Sequence, residues 1–559
     1  MLEKEVINLL ASAGVRADEE ILETPSLKEF GDLAFPCFGL AKVEKRNPND
    51  IAKNIQNKIK LDDDSTIGKV EARGGYVNFF FNYQKFTEKV LISVSKRHPV
   101  QIKENILVEF SQPNPVHSMH IGHARGTLLG ESLCNIYEYL GHKVIRANLM
   151  NDLGLQVAKL VVAYEKWAKN KRIEGKPDFW MWQYYVKFHE EAKKRPELEE
   201  EAREKLRKFE LLHDKKVEAV WKKVVKTVMK GFEETYEKLG IRFDVYFFES
   251  DYRKPGKMIV DKLLERGFAF KTSEGSIVSK LVKYGIPDTV ILRSDGTGLY
   301  MTSDFGLTIH KFEKYNLDKS VWLVSTQQNL YFKQLFKLLE LLGYGWAKEC
   351  YHFSFEHVRL EEGKMSSREG RAIMLDDVIA KLVEMAKEEV TKRNSKISEK
   401  EKQKLAEQIG IGALKYAITR IEPEKLITFD WKQMLSFDGN TGPYVQYAYT
   451  RCNSILKKAG KFQRLISLEK MNEDEKNLVS ALGRFNEVVN DAADTMKPHI
   501  VCNYLYELTT ALNNFYERCP VLKAESVEVK QFRLTLVSAT RDVLKNGMSL
   551  VGMEAPEKM

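Results

Sequence analysis

The run His120-Ile121-Gly122-His123 sets two imidazoles within one helical turn of each other, with a glycine between them. It stands where a short apolar run, ILVEF (106–110), gives way to a helical pattern. In that pattern Leu129, Leu133, Ile136, Tyr137 and Leu140 share one face. A helix start has unsatisfied N–H groups and the positive end of the helix dipole, so it attracts phosphate. In a parallel α/β sheet, ligands bind beyond the carboxyl ends of the strands, where this run would lie. Both imidazoles can reach phosphate oxygens there, and Gly122 leaves room for a flat base to approach the backbone. Two histidines near a helix start are otherwise ordinary capping or surface groups. The strand before and the helix after single this pair out.

A second cluster lies far downstream, at Lys364-Met365-Ser366-Ser367-Arg368-Glu369-Gly370. Two cations and two hydroxyls among small residues suit a loop that closes on phosphate charge. Alone it reads more readily as a solvated basic turn. Together the two clusters bracket one α/β region in chain order, and no G-x-x-x-x-G-K-[ST] run competes for the nucleotide.

These clusters need a scaffold, and the chain is long enough for several domains. Its 559 residues correspond to three domains or four at about 100–200 residues each. With 43% apolar and 30% charged residues it is expected to be globular. The 88 Lys and Arg exceed the 79 acids by nine, a net charge that permits a nucleic-acid partner without requiring one. Residues 1–100 read as a small mixed module, opening on a helix and ending in strand-like runs such as KVEARGGYVNFFFNY. Residues 101–400 read as an α/β domain. Its ILVEF, VIRANLM, VILR, LYMT and SVWLVS are strands, and SDFGLTIHKFEKY and QNLYFKQLFKLLELLGY are helices. A charge-rich helical insertion covers about 159–239, and 401–559 reads as a helical bundle. The first strand–helix–strand unit should be parallel and right-handed.

The six cysteines, Cys37, Cys134, Cys350, Cys452, Cys502 and Cys519, form no C-x-x-C pair and no zinc spacing. Free buried thiols in a reducing compartment are expected, with no structural zinc. The opening MLEKEVINLLASAGV reads as an amphipathic helix rather than a signal peptide, and no apolar run approaches the ~20 residues of a membrane span. A cytoplasmic setting is expected, with no membrane partner.

HIGH followed by KMSSR resembles the signature pair of the class I aminoacyl-tRNA synthetases. The flanking segments resemble the arginyl-tRNA synthetase family in that family's order. They are FGDLAF, VEFSQPNPVHSMHIGHARGTLLGESL, NLMNDLG, SDGTGLYMTSDFG, STQQNLYFKQLF, FDGNTGPYVQYAYTR and GMEAPEKM. The resemblance implies a Rossmann-like parallel-sheet catalytic domain between an N-terminal α+β module that contacts tRNA and a C-terminal helical anticodon-binding domain. It implies ATP-dependent activation of L-arginine and its transfer to the 3′-end of tRNA(Arg), with tRNA needed for efficient activation, ATP carried with Mg2+, and a monomer.

Residue by residue, the resemblance puts His120, Gly122, His123, Lys364, Ser366 and Arg368 at ATP, with His120, His123 and Lys364 catalytic. It puts Asn114, Glu249, Tyr300, Asp304 and Gln328 around arginine. A guanidinium is planar, permanently charged and carries five donors, so acids and neutral acceptors are the groups that would select it. Taken singly, Asp304 also reads as a helix-start residue and Asn114 as a turn residue beside Pro113 and Pro115. Tyr444 and Tyr447, clustered with Tyr449, Gln446 and Arg451, are candidates for stacking on tRNA bases, although tyrosines on a bundle helix are more often core. The class I loop usually has a second lysine where Ser367 stands, and many arginyl enzymes that lack it resemble one another in having a lysine just upstream of HIGH, where this chain has His117. Arg368 or His117 is the cation left to replace it. Two rival readings stay open: a class I synthetase for another amino acid, and a non-catalytic RNA-binding paralogue.

Overall fold

A computed structural model describes residues 2–95, 103–356, 358–359, 373–393, 397–428 and 430–559. The loop that carries Lys364, Ser366 and Arg368 lies outside these residues.

The N-terminal module contains α1 (Leu2–Ser12), β1 (Leu33–Pro36), α2 (Phe38–Glu44), α3 (Pro48–Lys58), β2 (Ile67–Arg73), β3 (Tyr76–Phe81) and α4 (Tyr83–Ser93). Its strands form an antiparallel sheet in the order β1-β3-β2. The β2–β3 hairpin turns at Gly74 and Gly75, with φ of 63° and 82°, a conformation costly for any residue with a Cβ. Val6, Leu10, Phe35, Ile51, Val77 and Phe79 fill the core between sheet and helices.

The α/β region runs through β4 (Asn105–Glu109), α5 (Ile121–Tyr139), β5 (Lys143–Met150) and α6 (Leu155–Ala163). The helices α7 (Pro177–Ala192), α8 (Glu197–Glu210) and α9 (Lys215–Lys238) follow, then β6 (Val245–Phe248) and α10 (Glu249–Glu265). It continues with β7 (Ala269–Lys271), β8 (Ile277–Ser279), β9 (Val290–Leu292), α11 (Tyr300–Tyr315), β10 (Lys319–Ser325), α12 (Asn329–Leu341), β11 (Cys350–Phe355) and β12 (Val358–Arg359). Five strands make one parallel sheet in the order β11-β10-β4-β5-β6. The chain winds from β4 to one side through β5 and β6, then returns to the other side as β10. The switch point therefore lies between β4 and β10, where ligands bind in such sheets.

Two strand expectations change. LYMT is the start of α11, not a strand: its apolar spacing continues helically through SDFGLTIHKF, and Thr302 caps the turn by accepting from Leu299 N and donating to Ile291 O. VILR contributes β9, but to a separate antiparallel sheet, β7-β8-β9, outside the parallel core.

The remaining elements are α13 (Leu375–Arg393), α14 (Glu399–Thr419), β13 (Ile427–Thr428), α15 (Trp431–Met434), α16 (Gly442–Ala459), α17 (Glu473–Gly483), α18 (Phe485–Asp494), α19 (His499–Arg518) and α20 (Val527–Leu550). α14 and α20 pack directly on α5. Ser132 and Asn135 of α5 donate to the carbonyls of Leu550 and Ser549. Sandwiched between sheet and bundle, α5 is buried nearly all round, which accounts for its lack of a polar face. All six cysteines are buried free thiols. No described helix is long and apolar enough to cross a membrane.

Candidate active site

The chain leaves β4 through two left-handed residues, Ser111 (φ 73°) and Gln112 (φ 45°). Non-glycine residues hold this conformation only where their surroundings enforce it. Here Ser111 Oγ lies 2.7 Å from both Thr127 Oγ1 and Tyr236 Oη. The Gln112 amide N–H donates to Asn148 Oδ1, and its side chain donates to Glu109 Oε1 at 2.9 Å. The reversal delivers Asn114, whose carbonyl accepts from Val116 and His117 N–H. It is a turn residue, but its Oδ1 is buried and has no hydrogen-bond partner among the described residues.

The turn ends at His120, which caps α5. Gly122 N–H donates to His120 Nδ1 at 3.1 Å, and His120 N–H donates to His123 Nδ1 at 3.1 Å. The rings lie 3.9 Å apart. Each Nδ1 accepts, so each neutral ring carries its proton on Nε2 and is an N–H donor there. Burial, and then the neighbouring His120 and His117, hold the His123 pKa well below the usual histidine value. A Cβ at Gly122 would fall 2.9 Å from the His120 ring. The space Gly122 leaves is thus taken up by that ring. Ile121 N–H donates to the Ile373 carbonyl, and Met374 is bridged to His120. The chain therefore comes back from the Lys364 segment beside the two histidines.

The acids converge through a close helix crossing. Glu249 is the first residue of α10, directly after β6, and Asp304 lies one turn into α11, four residues after Tyr300. The helices touch at Gly256 and Gly306. A Cβ at Gly256 would sit 1.6 Å from the Thr302 carbonyl oxygen, so a larger residue would push the helices and their acids apart. Glu249 is nearly fully buried, and burial raises its pKa to about 8 against the opposing charge of Arg253. Burial likewise raises Asp304 to about 6, opposed by a hydrogen bond from Tyr331 Oη. Tyr300 is 60% exposed, and desolvation and then the Glu249 charge raise its phenol pKa. Gln328 ends the single turn between β10 and α12, three residues before Tyr331.

The structure thus brings together Glu249, Tyr300 and Asp304 beside the end of β6, with Tyr331 linking Asp304 to the segment that carries Gln328. His120, His123 and Asn114 follow β4 across the same carboxyl edge of the sheet. Sequence reasoning overlooked four contributors. Tyr331 holds Asp304. Arg253 donates to Glu249 Oε1 at 2.8 Å. Asp152 accepts from Ser250 N and Oγ at 2.9 and 2.7 Å. Arg125 is fully buried and donates to the carbonyls of Ile418, Glu422, Pro423 and Lys425, tying α5 to the chain after α14. The i,i+4 spacing of Glu249 and Arg253 was the one readable signal.

The tyrosine cluster of α16 divides. Tyr447 is partly exposed under the Arg451 guanidinium, 4.9 Å away. Tyr444 Oη accepts from Asn513. Tyr449 and Gln446 face the core, where Gln446 donates to the carbonyls of Gln408 and Glu554.

Comparison with known proteins fits this arrangement. Residues 87–431 match the family described as class I (R) tRNA synthetases, catalytic domain. Residues 445–559 match the DALR anticodon binding domain, and residues 1–81 the arginyl tRNA synthetase N-terminal domain. The arginine–tRNA ligases of Halothermothrix orenii and Clostridioides difficile are each 38% identical, over 97% of this chain and 96% of theirs. The Thermus thermophilus arginyl-tRNA synthetase superposes with a TM-score of 0.84 at 26% identity, covering 100% of this chain and 99% of that one. A methionyl-tRNA synthetase from Mycobacterium tuberculosis shares the fold more distantly, with a TM-score of 0.53 at 12% identity over 81% of this chain and 92% of that one. The chain belongs to the arginyl-tRNA synthetase family of class I aminoacyl-tRNA synthetases.

Proposed function

We propose that this protein is an arginine–tRNA ligase, activating L-arginine with ATP and transferring it to the 3′-end of tRNA(Arg). The observation that carries the reading is the pair of acids, buried Glu249 and partly buried Asp304, whose charges act on each other at the same sheet edge as the capped histidine pair. The guanidinium of arginine sits between the two carboxylates, with Tyr300 as a wall and Gln328 as a neutral partner. The unpaired Oδ1 of Asn114 offers an acceptor to the α-ammonium group.

In the first step the arginine carboxylate attacks the α-phosphorus of ATP, the bond to the bridging oxygen breaks, and pyrophosphate leaves. The Nε2–H donors of His120 and His123 face the charge that grows on the phosphate oxygens. Lys364, Ser366 and Arg368 add to this from the loop, and Gly122 keeps His120 in place. In the second step the terminal ribose hydroxyl of the tRNA attacks the activated carbonyl and AMP leaves. No protein nucleophile is needed, because positioning and charge stabilisation supply the acceleration. ATP arrives with Mg2+, which screens its phosphates.

The N-terminal module is assigned to the outer corner of the tRNA and the bundle to its anticodon side, with Tyr444 and Tyr447 as stacking surfaces. The protein acts as a cytoplasmic monomer. A class I enzyme for another amino acid is the weaker reading, since arginine–tRNA ligases match along the whole chain. ATP–pyrophosphate exchange with each amino acid, with and without tRNA, is the test. Exchange should require arginine and be strongly stimulated by tRNA(Arg). Exchange with a different amino acid and none with arginine would overturn the assignment.

A further inference from the structure

Arg253 places a second guanidinium against the acidic pocket. It lies one turn after Glu249 on α10, and its side chain is 11% exposed. Three elements hold its planar head. Nη2 donates to Glu249 Oε1 at 2.8 Å, and Nη1 donates to the Leu299 carbonyl at 2.5 Å. Nε lies 3.4 Å from Glu210 Oε1. Leu299 directly precedes Tyr300, at the start of the helix that carries Asp304. The site is shaped for this head: a Cβ at Gly298 would fall 2.3 Å from Nη1. Glu249 Oε2, in contrast, is buried with no hydrogen-bond partner among the described residues.

A buried carboxylate is stable only when paired, and a half-paired one carries a large penalty. We infer that Arg253 is a positioning residue for the arginine pocket: it fixes Glu249 through Oε1 and thereby presents Oε2, bare, to the guanidinium of the substrate. The inference rests on the assignment of Glu249 to that pocket. The unpaired oxygen makes the empty site costly, and an incoming guanidinium relieves that cost. Citrulline, with no charge, relieves it less. The clamp to Leu299 also couples Glu249 to the start of α11, adding to the Gly256–Gly306 contact that holds the two acids at their separation.

The charges facing Glu249 are Arg253 on its own helix, Asp304 on α11, Asp152 after β5 and Glu210 on α8, with the Tyr300 phenol at the rim. Among these Arg253 is the one cation. Losing it leaves Glu249 among acids, holding its proton to higher pH. Arginine binds to the ionised carboxylate, so the pH at which arginine KM stops falling must move up.

The test measures arginine KM, ATP KM and kcat from pH 6 to 9 in the full-length enzyme with tRNA(Arg). The variants are Arg253→Gln, Arg253→Lys and Glu249→Gln. Arg253→Gln should raise arginine KM about tenfold or more near pH 7, narrow as pH rises, and leave ATP KM unchanged. Arg253→Lys keeps the charge but not the planar fork. It should keep the parent pH limb with an intermediate KM, and it serves if the glutamine variant does not fold. An arginine KM and pH limb unchanged in both Arg253 variants, while Glu249→Gln raises arginine KM, would overturn the positioning role and spare the pocket. Unchanged arginine KM in Glu249→Gln would overturn the pocket assignment itself. Equal losses in kcat and both KM values at every pH in the Arg253 variants would reduce Arg253 to a structural tie.

Discussion

His120 and His123 hold each other across the first turn of α5: the His120 amide donates to His123 Nδ1 at 3.1 Å, and the rings stand 3.9 Å apart. Capping the helix and binding phosphate can be separated by substitution. His120→Asn keeps a side chain that accepts from Gly122 N–H. It should fold with a melting temperature near the parent's yet lose about 10²–10³-fold in single-turnover adenylation, the effect of losing one preorganised donor. His123→Ala should do the same and also loosen the cap. Parent-like adenylation in both variants would move the phosphate site elsewhere.

Asp304 depends on Tyr331. The phenol donates to the carboxylate and opposes the effect of burial on its pKa. Tyr331→Phe leaves a buried acceptor unpaired, a change worth about 1–3 kcal/mol. Arginine KM should rise about 5- to 150-fold, with ATP KM unchanged. Pyrophosphate exchange over a range of arginine concentrations measures this. An unaltered arginine KM would show that Asp304 needs no such support.

The raised acids also predict a pH dependence. In the empty pocket Asp304 titrates near about 6 and Glu249 near about 8. On the proposed assignment, both must be ionised to hold a guanidinium that stays charged throughout. Below these values a proton has to leave as arginine binds, at about 1.36 kcal/mol per pH unit for each protonated acid. Arginine KM should therefore fall as pH rises from 5.5 to 8.5, most steeply below about 6 where both acids are protonated. Burial holds the His123 pKa well below the ordinary histidine value. A flat arginine KM over that window would contradict the burial of both acids.

How much of this could be read from the residues depends on range. The β4–α5 unit and the helices were legible because a 3.6-residue apolar period is a local signal. LYMT was misread because four residues cannot reveal whether their pattern continues helically. VILR could not reveal its antiparallel partners. On α16 the helical period would have sorted the tyrosines: Tyr444, Tyr447 and Arg451 fall on one stripe, while Tyr449 and Gln446 fall on the buried one. The acids were legible only through family resemblance. What unites them, the contact of Gly256 with Gly306 and the clamps from Tyr331 and Arg253, joins residues up to 82 positions apart (331 against 249) and leaves no local trace.

The loop that contains Lys364 and Arg368 supplies the last prediction. The chain is next described at Ile373 and Met374, the latter bridged to His120, and on the proposed assignment Lys364 and Arg368 serve the same phosphate site. Charge that acts on closure favours the transition state over bound ATP. Lys364→Ala should therefore lower the adenylation rate far more than it raises ATP KM. Serine stands at position 367, where the class I loop usually has its second lysine. If Arg368 supplies that charge, Arg368→Lys stays active and Arg368→Ala loses about 10²-fold or more, the scale of one transition-state contact. His117 is the competing cation. It sits on the turn before His120, with its ring packed edge-on 5.3 Å from that of Tyr185. The pair of variants Arg368→Ala and His117→Ala, compared in single-turnover adenylation with tRNA present, decides between them. Full activity of Arg368→Ala combined with loss in His117→Ala would assign the charge to the histidine.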